Sequence, residues 1–317
     1  MTEEMRMKKY ILKRLIISFI TLMIIILVLF LMLQFMPGSP FNDEKLTEAQ
    51  IASMRKAYGL DKPIIVQFFI YVVRVFTGDL GVSYTISQNT PVSSLLNTRV
   101  PVSFSMGFAA VVIGALLGLI LGITAATHHN SWLDTLCTVI SVLGVALPSY
   151  VFGLILAYVF GYQTQIFPLL YTSDHPVFST VLPVIALSMF TVATVARFTR
   201  SSMLEVLDSD YMLLAESKGV TGPTLIWKHA MRNVMVSVIT VLAPLIVDLM
   251  IGSLVIEQIF AIPGIGTLMV TSIQSNDYNV TIAIALIYSV MYIAVMLIVD
   301  ILYGIIDPRI RLAKNAN

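Results

Sequence analysis

Three carboxylates in this chain fall within or beside long apolar runs: Asp248, Glu257 and Asp300. An acid inside a membrane is costly to bury, so it marks an ion, proton or substrate path unless a neighbour pairs with it. Only Asp248 sits mid-run. It reads either as a functional acid or as one paired with a polar group of an adjacent run. Glu257 and Asp300 lie near run ends and are expected at the interface. The other chemistry-bearing residues assemble into no catalytic pattern. There is no G-x-x-x-x-G-K-[ST] to cradle ATP phosphates and no H-E-x-x-H to hold zinc. His128, His129, His175 and His229 lie in connections between runs, and no Ser–His pair reads as a protease dyad. Pro263-Gly264-Ile265-Gly266 has Met269 where a dinucleotide fingerprint needs its third glycine. The single cysteine, Cys137, allows neither an internal disulfide nor a cysteine metal cluster. No catalytic residue, no metal site and no cofactor of the chain's own is assigned.

The elements that must position these residues are membrane spans. Of the 317 residues 57% are hydrophobic and only 12% charged, against about 25% charged in a soluble domain. With a mean hydropathy of +0.89, the chain is an integral membrane protein. A net charge of +1 gives no basic surface for nucleic acid. Six runs reach the length of about 20 residues that a crossing requires: Leu15–Met36, Val102–Ala126, Trp132–Phe160, Val177–Ala196, Val234–Ile259 and Val280–Ile305. The first follows a basic stretch, as a signal peptide would. It is too long for one, lacks an A-x-A site, and is expected to be retained. Lys and Arg cluster before the first run (Arg6, Lys8, Lys9, Lys13, Arg14), in segment 197–232 (Arg197, Arg200, Lys218, Lys228, Arg232) and in the tail (Arg309, Arg311, Lys314). Positive charge stays inside, so both termini and segment 197–232 are expected in the cytoplasm. Ile64–Phe76 is shorter, contains Gln67 and Arg74, and is expected to be interfacial or buried. Were it a seventh crossing, the basic segment would face outward.

Between the runs, segment 37–100 carries a T-x-x-Q capping box at Thr47 and Gln50, and turns at Asp61-Lys62-Pro63 and Gly78-Asp79-Leu80-Gly81. It reads as a helical cap on the outer leaflet or as a dock for an external partner. Segment 197–232 is more informative. Leu204, Leu207, Tyr211 and Leu214 predict one apolar helical face, Gly219 a break, and Thr221 the N-cap of a second short helix with Pro223 in its first turn. That helix carries Leu225, Ile226, Trp227, Lys228 and His229. The segment either lies on the inner membrane surface or meets a partner. Gly114, Gly118 and Gly122 form a stripe expected to pack closely against another helix. Ser131 and Asp134 predict a capping box, and Pro148 and Pro244 predict kinks. With one deep acid, no internal repeat and no energy-converting site, the pattern favours a subunit powered by others over a stand-alone secondary transporter.

The residues also carry a resemblance. Arg197-Phe198-Thr199-Arg200-Ser201-Ser202-Met203-Leu204-Glu205-Val206-Leu207 with Asp210-Tyr211, Ala215, Lys218-Gly219 and His229-Ala230-Met231-Arg232-Asn233 resembles the cytoplasmic signature of bacterial ABC-importer permeases. Within them it is most similar to the B-type permease of oligopeptide and dipeptide importers. The likeness extends along the chain through Met36-Pro37-Gly38, Tyr58-Gly59-Leu60-Asp61-Lys62-Pro63, Leu147-Pro148-Ser149, Glu257-Gln258-Ile259-Phe260, Asp277-Tyr278 and Asp307-Pro308-Arg309. It implies an all-α, type I importer permease with six transmembrane helices and cytoplasmic termini, multi-pass in the bacterial cytoplasmic membrane. Residues 1–36 would be the cytoplasmic N-terminus and first helix, 37–98 an extracellular helical loop, 99–305 the permease core and 306–317 a cytoplasmic tail. Implied partners are a second homologous permease, two cytoplasmic ATP-binding subunits that hold ATP and Mg, and an extracellular peptide-binding lipoprotein. The substrate would be an oligopeptide, with dipeptides, nickel or another small solute as the alternative. The ATPase-coupling residues would be Ala215, Glu216, Lys218, Gly219, Thr221, Gly222, Pro223, Leu225, Trp227 and His229. Asp248, Ser149 and Tyr150 would line the substrate path. One departure stands out: Leu213 and Leu214 replace the Glu and first Ala of the Glu-Ala-Ala found widely in these permeases, so no glutamate contact carries over.

Overall fold

The computed structural model describes residues 3–35, 62–250 and 254–306, and among them the regular structure is helical apart from one isolated bridge, Val82 to Pro91. The Thr47–Gln50 capping box, Met36-Pro37-Gly38 and the tail from Asp307 lie outside the described residues. The chain divides into two compact units, residues 1–102 with 263–294 and residues 103–262 with 295–317.

In the first unit, α1 (Glu3–Phe35) contains a 22-residue crossing, Ile11–Met32. Helix α2 (Ile64–Thr77) has 14 residues, about 21 Å at 1.5 Å per residue and short of a hydrocarbon core of about 30 Å. It is no seventh span. It runs antiparallel to α1, because Gln34 donates to Gln67, Phe30 meets Phe68 and Tyr71, and Phe19 meets Phe76. Helix α3 (Val92–Thr127) starts ten residues before the expected Val102 and passes through Pro101. Proline removes a backbone donor there. Burial of Val92 and Leu96 against Ile265, Leu268, Val280 and Ile284 nevertheless holds these turns in the helix.

The second unit is built on helix pairing. The remaining helices are α4 (Trp132–Ala146), α5 (Ser149–Leu156), α6 (Pro176–Ser179), α7 (Val181–Leu207), α8 (Asp210–Ser217), α9 (Met231–Met250), α10 (Leu254–Ile259), α11 (Ile265–Gln274) and α12 (Tyr278–Ile306), of which α11 and the first turns of α12 belong to the first unit. A methyl group on Gly114, Gly118 or Gly122 would stand 2.6, 2.7 or 2.5 Å from the Cβ of Thr191, Val195 or Thr199 respectively. The glycine stripe is therefore an intramolecular surface, and the matched ascending numbers make α3 and α7 parallel. Two parallel neighbours need a return crossing between them. The α4–α5 pair supplies it, since Asp134 meets Arg200, Gly144 meets Ala193 and Gly153 meets Ala186 along an antiparallel path. The run Trp132–Phe160 breaks where Pro148 predicts a kink: the axis bends by 103° between Ala146 and Ser149. Leu147 is extended and Pro148 leads into α5, as the restriction before a proline requires.

One expectation needs correction and one is refined. Glu257 is fully buried within the protein, where the Ser103 hydroxyl donates to its Oε1 at 2.6 Å. Ser131 does cap α4, accepting from the Asp134 amide, but the Asp134 carboxylate turns to Asn130 and Arg200 instead of closing the box.

The glycine stripe sets a stability test. Gly118→Leu drives its side chain into Val195 and the Val192 carbonyl, and the protein should fail to accumulate in the membrane. Gly118→Ala should cost about 1–3 kcal/mol, the range of overpacking, read as a lowered Tm in detergent.

Candidate functional site

Segment 197–232 folds onto its own chain. Helix α7 continues unbroken from the membrane to Leu207, and extended Ser209 separates it from α8. The single apolar face expected over Leu204–Leu214 is thus split. Met203, Met212 and Ala215 are buried, together with Leu225, Ala230, Met231 and Val234, and Leu204 and Leu207 pack against them. Tyr211 and Leu214 face outward instead, since the break rotates α8 relative to α7.

Helix α8 ends in a Schellman motif. The Gly219 amide bonds the Glu216 carbonyl at 2.8 Å and the Val220 amide bonds the Ala215 carbonyl at 3.2 Å. Val220 packs on the same core as Ala215, the apolar contact that accompanies this cap. The motif demands a left-handed residue, and Gly219 has φ +83°. The next helix is capped by Gly222 (φ +65°) rather than by the expected Thr221, because the Leu225 and Ile226 amides both return to the Gly222 carbonyl. Pro223 takes the first helical position, where its missing N–H costs nothing. Leu225–Ala230 then widens into π-type turns that lead into α9.

Leu225, Ile226 and Trp227 are adjacent in sequence but do not share one exposed surface. The structure buries Leu225 and leaves Trp227 64% exposed, beside Leu213 at 67% and Leu214 at 56%. Glu216, Lys218, Gly219, Thr221, Gly222 and Pro223 are also exposed, His229 is half-buried, and Ala215 lies beneath. Of the substrate-path residues, Asp248 and Tyr150 are exposed and Ser149 is half-buried. No hydrogen bond joins Asp248 to either among the described residues.

Two anchors escaped sequence reasoning. The Arg200 guanidinium grips Asp134 with two bonds, Nε to Oδ1 at 2.7 Å and Nη2 to Oδ2 at 2.9 Å. Asn130 donates a further backbone bond, and His129 Nδ1 lies 3.2 Å from Oδ2. This ties α7, just before the exposed segment, to the turn after α3. In the first unit, buried Asp277 accepts from the Ser83 hydroxyl and from the amides of Tyr84, Thr85 and Ile86. Both pairs are remote in sequence, and only the capping position of Asp134 gave a local signal.

The matched family supplies the next observation. Residues 118–312 match the model of the binding-protein-dependent transport system inner membrane component, and residues 7–107 match its N-terminal companion. The chain belongs to this family. It is a multi-pass permease of the cytoplasmic membrane. The permease is 43% identical to the dipeptide transport system permease protein of Lactococcus lactis, over 96% of this chain and all of that one. It is 36% identical to the oligopeptide transport system permease protein of Haemophilus influenzae, with the same coverage. Its fold is similar to that of a chain in the inward-facing MetNI methionine ABC transporter, with TM-score 0.58 at 13% identity over 67% of this chain and 96% of that one.

Asp277 sets a pH test for the permease. Burial pushes its carboxyl up, but the Ser83 hydroxyl and the three amides outweigh burial and hold it below the usual carboxylate range. A depressed folded value stabilises above the unfolded pKa of about 3.9 and is lost as pH falls through the folded value. Hydrogen exchange of residues 83–86, corrected for intrinsic rate, should be flat from neutral pH to about 4.5 and quicken below about 4. Asp277→Asn should quicken it by about 10- to 100-fold at neutral pH, since bonds to a charged acceptor contribute about 1.5–3 kcal/mol.

Proposed function

We propose that this chain is the translocation subunit of an ATP-driven peptide importer, and that segment 215–229 couples ATP hydrolysis in a partner to the membrane helices. The observation that carries the reading is the segment's geometry. Two short helices, fixed to the chain's own core and joined by a two-glycine turn, present Leu213, Leu214 and Trp227 outward. Exposed apolar and aromatic residues on a rigid base suit an interface hot spot. The Leu213-Leu214 departure fits as well, for an apolar pair stands where a glutamate would otherwise meet the partner. Coupling needs a contact that differs between the partner's two states, and a segment continuous with α7 and α9 passes such a difference to the crossings.

The remaining assembly follows the same reading: a second permease subunit, two ATP-binding subunits that carry ATP and Mg, and an extracellular peptide-binding lipoprotein. Oligopeptides are the substrate we favour, with dipeptides or another small solute as the alternative. Support comes from relatives named for dipeptide and for oligopeptide transport. Asp248 and Tyr150 are assigned to the substrate path on their exposure, and half-buried Ser149 as the neighbour of Tyr150. Both termini and segment 197–232 face the cytoplasm in this reading, on the distribution of Lys and Arg.

Orientation is checked by labelling. With buried Cys137 changed to Ser, a cysteine at exposed Ser173 should react with an impermeant thiol reagent outside intact cells, and one at exposed Ser217 should not. Outside labelling at Ser217 would invert the topology.

Coupling is checked at Gly219. No atom lies within 4 Å of an added Cβ there, so Gly219→Val acts through the backbone angle alone. The variant should insert and accumulate normally, yet show several-fold lower uptake per ATP hydrolysed in reconstituted complex, or weaker co-purification of the ATPase subunits. Wild-type values of both would remove the coupling assignment.

A further inference from the structure

Beside the Arg200–Asp134 grip lies a cavity of about 350 Å³, formed by α3, α4 and α7 within the second unit. Its wall is apolar, with Leu121, Val142 and Phe198, and its polar part includes Arg197, Arg200 and Ser201. Val142 and Phe198 are about half exposed, so the cavity opens onto the helix surface. The charges within it are unbalanced. Asp134 is consumed by Arg200, which engages it through Nε and Nη2 only. That leaves Nη1 with two donors and no acceptor among the described residues. Arg197 is exposed and has no hydrogen bond or ion pair among them. The next acid along α7 is Glu205, two turns on, about 12 Å, and outside the cavity lining.

Depth points to the occupant. From Val181 to Arg197 and Arg200 the helix rises about 24 and 29 Å at 1.5 Å per residue, close to the thickness of a hydrocarbon core. The free guanidinium donors therefore stand where phospholipid headgroups lie, and the apolar wall extends toward the acyl region. An oxyanion with an attached hydrocarbon satisfies both halves of the cavity. Arginine forks match phosphate oxygens in geometry as well as charge.

We infer that this cavity binds the phosphate of an anionic phospholipid, with Arg197 as the principal donor and Ser201 and Arg200 Nη1 beside it. Neither the peptide reading nor the coupling segment is needed for this site.

The test uses purified full-length protein in neutral detergent, with native mass spectrometry of retained phosphatidylglycerol and of phosphatidylcholine carrying the same chains. Phosphatidylglycerol should be retained preferentially. Arg197→Gln should lower that retention about fivefold, the factor matching about 1 kcal/mol per basic residue near an anionic surface. Phosphatidylcholine should be unaffected. Arg197→Lys should keep most of the preference, and Arg232→Gln, outside the cavity, all of it. If Arg197→Gln does not accumulate, Ser201→Asp places a carboxylate in the cavity and should give the same loss. Unchanged preference in Arg197→Gln, or in Ser201→Asp where that variant stands in, overturns the proposal. Displacement by millimolar inorganic phosphate overturns the lipid as ligand in favour of a free oxyanion. Loss of the preference when a second permease subunit co-purifies overturns it in favour of a protein contact.

Discussion

Backbone-close packing of α3 on α7 is the constraint from which the second unit follows. Gly114, Gly118 and Gly122 leave no space for a side chain against Thr191, Val195 and Thr199, and in lipid such close contact replaces the hydrophobic effect as the source of helix affinity. The two helices point the same way. The chain between them must therefore recross, and it does so along α7 with its own small-residue contacts, Gly144 on Ala193 and Gly153 on Ala186. Helix α7 thus sits between its partners, with buried residues along most of its length.

That arrangement also anchors the exposed segment beyond α7. Arg200 locks the helix to Asp134 just before it leaves the packed region. The core of Met203, Met212, Ala215, Leu225 and Val234 then holds the two short helices against the start of α9. The two residues of this segment at positive φ, Gly219 and Gly222, sit at a helix cap and at the start of the next helix. The π-type turns at Leu225–Ala230 add one more departure from regular geometry, of a kind frequent at functional positions.

The first unit solves a different problem. The loop between α2 and α3 closes on itself through backbone bonds such as Ser83 to Thr90 and Val92 to Gly81, but the consecutive amides of Tyr84, Thr85 and Ile86 turn away from that pairing. Asp277 provides the missing acceptor for three consecutive amides and the Ser83 hydroxyl. Asn279 adds a bond to the Val82 carbonyl. One short stretch at the start of α12 therefore organises a loop almost two hundred residues earlier in the chain.

Composition alone determined the membrane class, because no arrangement of a chain this apolar leaves enough polar surface for water. Apolar run length located the crossings, and Pro148 marked the place where one of them breaks. The glycine spacing announced a packing face, and Gly219 announced a turn, since each rests on local sterics that act wherever the residue is placed. Tertiary structure decided what those features meet. The stripe did not name α7 as its partner, for a missing side chain says only that something comes close. Periodicity put Tyr211 and Leu214 in the wrong places because the break at Ser209 resets the helical phase, and no residue there announces it as glycine does. The burial of Glu257 gave no local signal because its satisfying hydroxyl, on Ser103, lies far away in sequence. The ion pair of Asp134 with Arg200 and the amide cradle of Asp277 were invisible for the same reason: long-range pairs leave no spacing to read, and only the folded chain brings them within a hydrogen bond of one another.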